Sequence, residues 1–198
     1  MCIRDRLDMG AFVKDGNLVI ADGDKTHILC GADELKIIGK HNVENALAAA
    51  AISYFAGIEP EVIGRTLKSF GGVAHRIEYC GEVDGVKFYN DSKGTNIDAT
   101  ITALNAIKEN IILIAGGDGK GQDFRTLTDH FDGRVKHMVL IGRDGPKIAA
   151  AAEESGFKNY SYGANMEECV REAFRLAEKG DTVLLSPACA SWDMYDNF

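Results

Sequence analysis

The sequence is poor in several features, and each shortage removes a class of protein. No apolar stretch approaches the roughly 20 residues a helix needs to cross a bilayer. The charged start, Met1 to Arg6, lacks the apolar core of a secretory signal and joins abruptly to the glycine-rich, alternating sequence after it. Only 3 prolines occur in 198 residues, with no low-complexity tract and no internal repeat. Collagen-like, proline-rich and repeat architectures are thereby set aside. The five cysteines, at positions 2, 30, 80, 169 and 189, are odd in number, widely spaced and without a Cys-x-x-Cys pair. That pattern fits reduced thiols in the cytoplasm better than a disulfide framework or a zinc site. Basic charge is also in deficit, with 22 Lys and Arg against 30 Asp and Glu for a net charge of −8. Neutralising nucleic-acid phosphates needs a basic face, so neither a nucleic-acid nor a membrane partner is expected. An anionic ligand must be caught by a few placed cations.

What is present is an ordinary globular composition, 45% hydrophobic and 26% charged, long enough for one or two domains. Residues 10 to 40 read as short strands and turns. Phe12, Val13, Leu18, Val19 and Ile20 flank the hairpin signal Asp15-Gly16-Asn17, and Leu35 to Ile38 reads as a further strand. A helix is expected over Val43 to Phe55 with Val43, Leu47, Ala51 and Phe55 as its stripe. A second helix starts at Pro60 and is expected to bury Val62, Ile63, Leu67 and Phe70. Gly71-Gly72 stops it and marks the best boundary between domains. Strands and helices alternate beyond that point. Ile77 to Val83 and Val86 to Asn90 flank Asp84-Gly85, and Ile97 to Ile107 is helical. Ile111 to Ala115 is a continuous apolar strand, followed by a short helix near Leu127 to Phe131 and a strand at Met138 to Ile141. Helices over Pro146 to Ser155 and Met166 to Ala177 and a strand at Thr182 to Leu185 complete the series. Such alternation predicts an α/β fold whose mostly parallel sheet carries helices on both faces.

Ligands of such sheets gather beyond the carboxyl ends of the strands. Three clusters fall there: Asn90-Asp91-Ser92-Lys93-Gly94-Thr95, Gly116-Gly117-Asp118-Gly119-Lys120-Gly121 and Ser186-Pro187-Ala188-Cys189-Ala190-Ser191. The second is not a phosphate loop of the Gly-x-x-x-x-Gly-Lys-Ser/Thr kind, because Gly121 follows Lys120. It is either a flexible strand-to-helix turn or a loop whose lysine holds a carboxylate or phosphate as a point charge. Arg76 is either a phosphate ligand or a surface arginine, and His75 reads more simply as a packing or capping residue. Asn42 and Asn45 lie one turn apart on one helix face. Asn42 could serve only as a cap, whereas Asn45 could read a base or ribose.

Five stretches together resemble the Mur ligases, the ATP-dependent, amide-forming enzymes of peptidoglycan precursor synthesis. They are Gly39 to Ala49 around Asn42 and Asn45, the pair His75-Arg76, Asn90 to Asn96, Gly116 to Lys120 and Leu185 to Ser191. The last two resemble the branch of the family that adds D-glutamate, and the likeness runs in register from about residue 10 to Phe198. Gly94 and Trp192 depart from the alanine and leucine of the family pattern, and both changes are expected to be tolerated.

The resemblance implies that residues 1–72 end a central ATP-binding domain and that residues 73–198 form a Rossmann-like C-terminal domain lacking its last helices. It implies contacts of Asn42, Asn45, Arg76 and Asp91 with ATP, and places Lys93 and Arg76 at the reacting phosphate. Thr95, Lys120, Ser191, Trp192 and Phe198 would hold D-glutamate. Lys120 with the hydroxyls of Thr95 and Ser191 would supply the cation and donors that two carboxylates require. The implied partners are ATP, D-glutamate and UDP-N-acetylmuramoyl-L-alanine. Mg²⁺ is the implied cofactor, its ligands lying upstream of this chain, which itself holds no metal site. A hinge at residues 71 to 76 would close amino acid onto nucleotide. The full-length protein would be a cytoplasmic monomer, and the 198 residues alone catalytically inert. Two readings stay open beside this one: a sister Mur ligase or folylpolyglutamate synthase acting on another amino acid, and a nucleotide- or amino-acid-binding module without chemistry.

Overall fold

The computed structural model describes residues 9–194, so Met1 to Arg6 and Phe198 lie outside the described residues. The chain divides into two compact units between Gly72 and Val73.

The first unit opens with three antiparallel strands, β1 (Met9–Lys14), β2 (Asn17–Asp22) and β3 (Lys25–Gly31), with β2 in the centre. Asp15 and Gly16 both take positive φ, 49° and 80°, the two-residue turn whose twist matches the strands it joins. Two helices follow, α1 (Lys40–Phe55) and α2 (Pro60–Ser69), the latter with proline in its first turn. Leu18, Ile20, Leu29, Leu47 and Ile63 form the core. No strand forms at Leu35 to Ile38. A 3-10 turn at Ala32–Glu34, closed by the Gly31 N–H donating to Glu34 Oε2 at 2.8 Å, carries the chain away from the sheet. The buried stripe of α1 is Ala46, Leu47 and Ala50, while Phe55 is exposed. On α2, Ile63 is buried but Val62 and Phe70 face outward. Gly64 explains why α2 turns this way: a Cβ there would lie 2.3 Å from the Leu29 carbonyl oxygen, so the helix packs on β3 through its glycine.

The second unit is a six-stranded sheet built from β4 (Glu78–Val83), β5 (Val86–Asn90), β6 (Ile111–Gly116), β7 (Val135–Ile141), β8 (Tyr160–Tyr162) and β9 (Thr182–Leu185). The spatial order is β4-β5-β9-β6-β7-β8. Only the β4–β5 pair is antiparallel, joined by the Asp84-Gly85 turn. The helices are α3 (Ile97–Ala106), α4 (Arg125–Thr128), α5 (Gly145–Glu154) and α6 (Met166–Leu176). All six residues of β6 are buried, as a central parallel strand covered on both faces requires. Ile112, Ile114, Val139 and Val183 pack with Cys169 and Ala173 of α6 on one face. The alternate residues Leu113, Met138, Leu140 and Leu184 point the other way, towards the face where α5 packs on β6 and β7. The α/β arrangement expected of the sequence is borne out. The chain steps outward from β6 through β7 to β8, then α6 returns it to insert β9 between β5 and β6. That reversal puts the switch point beside β6 and β9, where a crevice opens at the carboxyl ends. No helix among the described residues is long and apolar enough to cross a membrane.

Candidate functional site

A cleft of about 630 Å³ opens at those carboxyl ends. Its walls come from the three clusters of the sequence: Ser92, Lys93 and Thr95 after β5, Ala115 to Gly117 at the end of β6, and Pro187, Cys189 and Ser191 after β9. His75, Ile141, Met166, Leu185, Asp193 and Met194 complete it.

Two glycines bring the β6 loop close enough to its neighbours. Gly116 has φ 130°, and a Cβ on it would sit 1.8 Å from the Ile141 carbonyl oxygen; Gly117 has φ 126°, and its Cβ would meet Ala190 O at 2.3 Å. Backbone can approach backbone here only where no side chain intervenes. The loop is then stitched in place: Asp118 N donates to Ala190 O at 2.7 Å, Ala190 N donates back to Asp118 O at 2.9 Å, and Gly116 N donates to Pro187 O at 2.9 Å. Asp144 holds it from the β7 side. Its N–H donates to Gly117 O at 2.9 Å, and its Oδ2 accepts from Gly119 N at 2.7 Å. Asp144 stands at the N-cap of α5 but makes no side-chain cap there, so its carboxylate is spent on the glycine loop. Lys147 Nζ lies 2.7 Å from its other oxygen as an ion partner, and this lysine, chiefly, holds the Asp144 carboxyl below its ordinary value against the effect of burial.

The β5 loop rests on a buried carboxylate. Asp91 is 5% exposed. Its Oδ2 accepts from Ser186 Oγ at 2.7 Å, and its Oδ1 accepts from the Ile77 N–H at 3.1 Å. Ile77 and His75 take φ of 45° and 67°, a left-handed conformation that a β-branched residue adopts only when its surroundings compel it. Asp91 supplies part of that compulsion. Lys93 N donates to His75 O at 3.1 Å, and Asn90 Nδ2 lies 3.0 Å from His75 Nδ1, which draws the segment before β4 onto the loop after β5. The N-terminus of α3 follows directly, capped by Asn96 Oδ1 accepting from Ala99 N at 2.9 Å, and its dipole favours an anion at this tip.

Of the residues singled out by sequence, Lys93, Thr95 and Ser191 line the one cleft, together with His75. Lys120 is exposed in the glycine loop, in the left-handed region at φ 51°, with its N–H donating to Asp118 Oδ1 at 3.0 Å. It does not line the cleft, although Gly116 and Gly117 of its loop do. Trp192 is 60% exposed and Arg76 is exposed; neither forms the cleft wall. Asp91, expected at a ribose, has its carboxylate engaged within the fold. At Gly94, where glycine was expected to be tolerated, a Cβ would come 2.4 Å from Asp91 Oδ2 and 2.7 Å from Ser186 Oγ. An alanine would therefore have to shift that hydrogen-bonded pair. In the first unit Asn42 is the third residue of α1 rather than its cap. Its Nδ2 donates to Ile38 O at 2.8 Å, and Asn45 Nδ2 reaches Asn42 Oδ1 at 3.4 Å, so the two amides do share a face.

Three residues of the site escaped the sequence reading. Asp193 lines the cleft; its Oδ2 accepts from Arg143 N at 2.6 Å, while its Oδ1 is buried without a partner. Asp144 and Gln122 lie in polar turns with no motif to flag them. Cys189 faces the cleft as a protonated thiol. Burial, then Asp144, Asp193 and Asp118, push it up to about 12, so it packs rather than reacts. Among the described residues no group of three or more His, Cys, Asp or Glu is placed to hold a metal ion.

The second unit is thus a mostly parallel sheet with a strand-tip cleft lined by Lys93, Thr95, Ser191 and part of a glycine loop. Residues 75–189 match the family described as Mur ligase, glutamate ligase domain, and the chain belongs to the Mur ligase family. It is 47% identical over 194 residues to the UDP-N-acetylmuramoylalanine–D-glutamate ligase of Thermoanaerobacter sp. strain X514, covering 97% of this chain and 43% of that protein. The enzyme of the same name from Alkaliphilus metalliredigens is 47% identical over 192 residues, covering 97% and 42%. The chain thus spans less than half the length of these relatives. Among solved structures, Mycobacterium tuberculosis folylpolyglutamate synthase complexed with ADP and AMPPCP matches with a TM-score of 0.65 at 14% identity, covering 90% of this chain and 44% of that one. UDP-N-acetylmuramate-alanine ligase of Thermotoga maritima matches at 0.62 and 15%, covering 87% and 40%. At such identities these two establish the shared fold.

Proposed function

We propose that this chain supplies the amino-acid-binding half of a cytoplasmic, monomeric, ATP-dependent ligase that joins D-glutamate to UDP-N-acetylmuramoyl-L-alanine. The observation that carries the reading is the meeting of Lys93, Thr95 and Ser191 at one strand-tip cleft, in a chain 47% identical to proteins of that name. In this reaction the carboxylate of the nucleotide-linked substrate takes the γ-phosphoryl group of ATP. The amine of D-glutamate attacks the resulting acyl phosphate, and inorganic phosphate leaves through a tetrahedral intermediate. Catalysis of this kind is mostly positioning and charge compensation.

Thr95, Ser191 and Lys93 have parts consistent with their place in the cleft; the other parts follow from the family resemblance. Thr95 and Ser191 offer hydroxyl donors to the carboxylates of D-glutamate, and Lys120, on the exposed tip of the glycine loop, is its counter-ion. Trp192 borders Ser191, and Phe198 belongs to the same group by its position in the sequence. Lys93, exposed at the cleft mouth, and Arg76 neutralise charge at the acyl phosphate. Asn42 and Asn45 are each assigned to the nucleotide by the family resemblance, as is Asp91, whose carboxylate also holds the β5 loop. The unpartnered oxygen of Asp193 offers an acceptor to the amine. Mg²⁺ would supply charge compensation at the phosphates, and none of its ligands is assigned to this chain. No Gly-x-x-x-x-Gly-Lys-Ser/Thr stretch occurs in the 198 residues, so the chain alone is expected to release no ADP from ATP when both other substrates are supplied. Titrating the ¹⁵N-labelled chain with D-glutamate should move the amide signals of Thr95, Lys120 and Ser191 in concert, and L-glutamate should move them less. Equal response to both enantiomers, or movement confined to other residues, would remove D-glutamate from the cleft.

A further inference from the structure

Three loops form the cleft, and one side chain touches all of them. Gln122 stands after the glycine loop, half-buried. Its Oε1 accepts from the Ile97 N–H at 3.2 Å, at the start of α3 two residues beyond Thr95. Its Nε2 donates to Gly119 O at 3.0 Å, immediately before Lys120, and to Ala188 O at 3.1 Å, three residues before Ser191. The amide orientation follows from the partners. Reversing it would set the NH₂ against an N–H and the oxygen against two carbonyls, losing all three bonds at once. Both Nε2 hydrogens and one lone pair of Oε1 are thereby used, so the group serves the fold and has no donor left for a ligand.

The Gly119 peptide is the point on which this converges. Its carbonyl is held by Gln122 through both Nε2 and the backbone N–H, the latter at 3.0 Å. Its N–H is held by Asp144 Oδ2 at 2.7 Å. A Cβ on Gly119 would also strike Phe124 Cζ at 2.5 Å. Gly119 is therefore held at both its N–H and its carbonyl, in a loop where Gly116, Gly117, Lys120 and Gly121 take positive φ. Strand ends are anchored by the sheet, but the three loops leave it in different directions. Hydrogen bonds between them are what set their mutual spacing to the half-ångström scale that a site for one small molecule demands.

We infer that Gln122 is a positioning residue: it locks the loops carrying Thr95, Lys120 and Ser191 into one register, so that a ligand with two carboxylates in the cleft meets all three loops at once. The inference rests on the D-glutamate reading above. It differs from a plain stability role, because a lock between loops acts on affinity and on local order while leaving the sheet intact.

The test uses the 198-residue chain with Gln122→Ala, which removes all three bonds, and Gln122→Glu, which keeps the shape and the acceptor but no donor. Amide hydrogen exchange reads local order, and titration with D-glutamate reads the site. In Gln122→Ala the Ile97 amide should exchange about fivefold faster or more, since it loses its hydrogen bond to Gln122 Oε1, worth about 1 kcal/mol. D-glutamate affinity should fall by a similar factor, while exchange in β6 and β7 stays unchanged. Gln122→Glu should keep Ile97 protected yet weaken D-glutamate as much as the alanine does. Wild-type exchange at Ile97 in the alanine variant overturns the inference, as does undiminished affinity in both variants. Should the wild-type chain itself ignore D-glutamate, the functional reading fails, and the exchange rates alone decide whether Gln122 is the lock.

Discussion

The hydrogen bond from Ser186 to Asp91 joins the loops after β9 and β5, and its removal has a calculable effect. Ser186 is fully buried and Asp91 is 5% exposed, so water cannot replace what Ser186→Ala takes away. The 2.7 Å contact is a hydroxyl donating to a carboxylate, a class worth roughly 1.5–3 kcal/mol net. Thr100 Oγ1, 2.9 Å from the same hydroxyl, loses a partner as well, adding about 0.5–1 kcal/mol. Asp91 keeps the Ile77 N–H on its other oxygen, which stops the carboxylate from being wholly stranded. The expected loss is about 2–4 kcal/mol. The single tryptophan, Trp192, lies in the second unit, so its fluorescence during urea unfolding follows that unit. With a slope of about 1.5 kcal/mol/M the midpoint should fall by about 1.3–2.7 M. A double-mutant cycle with Asp91→Asn should return a coupling of at least about 1 kcal/mol, since an amide does not need the hydroxyl as a carboxylate does. A midpoint shift corresponding to less than about 1 kcal/mol, or additive effects in the cycle, would refute the view that this pair fastens the loop bearing Lys93 and Thr95.

Gly116→Ala should destabilise the second unit by more than about 3 kcal/mol, combining left-handed strain with a clash against the Ile141 carbonyl that only backbone movement relieves. Gly121→Ala, also at positive φ but with open space around it, should cost only about 1 kcal/mol, and urea midpoints of the two variants give the comparison. At the opposite end of the sheet, Lys136 Nζ holds Asp181 Oδ2 at 2.6 Å and Glu178 Oε2 at 2.8 Å. Burial raises the Asp181 carboxyl, yet the Lys136 ammonium and the Glu178 N–H outweigh it and leave the group below its ordinary value. The lysine is correspondingly raised, chiefly by Asp181. A depressed carboxyl stabilises above its unfolded value and loses that contribution as pH falls through the folded one; a raised lysine stabilises below its unfolded value and loses it as pH rises. Lys136→Met should therefore cost about 2–3 kcal/mol near neutrality, less than a fully buried pair because Lys136 is 31% exposed. The gap from wild type should close as the solution is acidified past the ordinary aspartate range, and a pH-independent difference in unfolding midpoint would count against the ion pair.

Local pattern decided most of the elements. Asp15-Gly16 and Asp84-Gly85 specify tight turns because their backbones accept positive φ, and both hairpins formed. The unbroken apolar run at β6 and the spaced stripe of α6 carry enough information to name strand and helix without neighbours. Where the pattern was weak no particular strand could be named. β3 mixes exposed Lys25, Thr26 and Ile28 with buried Leu29 and Cys30, and β8 is three residues long and partly exposed. Their strand character comes from pairing with β2 and β7. Phe55, Val62 and Phe70 have the right hydrophobicity and the wrong side of the helix, since the helix docks where its small residues, Ala50 and Gly64, allow close approach.

Which residue types stand at the strand tips was legible before any folding, because glycines, hydroxyls and lysines in those clusters carry their chemistry wherever they are placed. The order of residues could not reveal that β9 inserts between β5 and β6, so that loops from positions 91, 117 and 189 share a cleft. That is a choice of pairing among several strands, made by packing over the whole sheet. Nor could it show that Gln122 and Asp144 hold the arrangement. A polar turn residue acquires a role only through partners far away in sequence, and those partners exist only once the chain has folded.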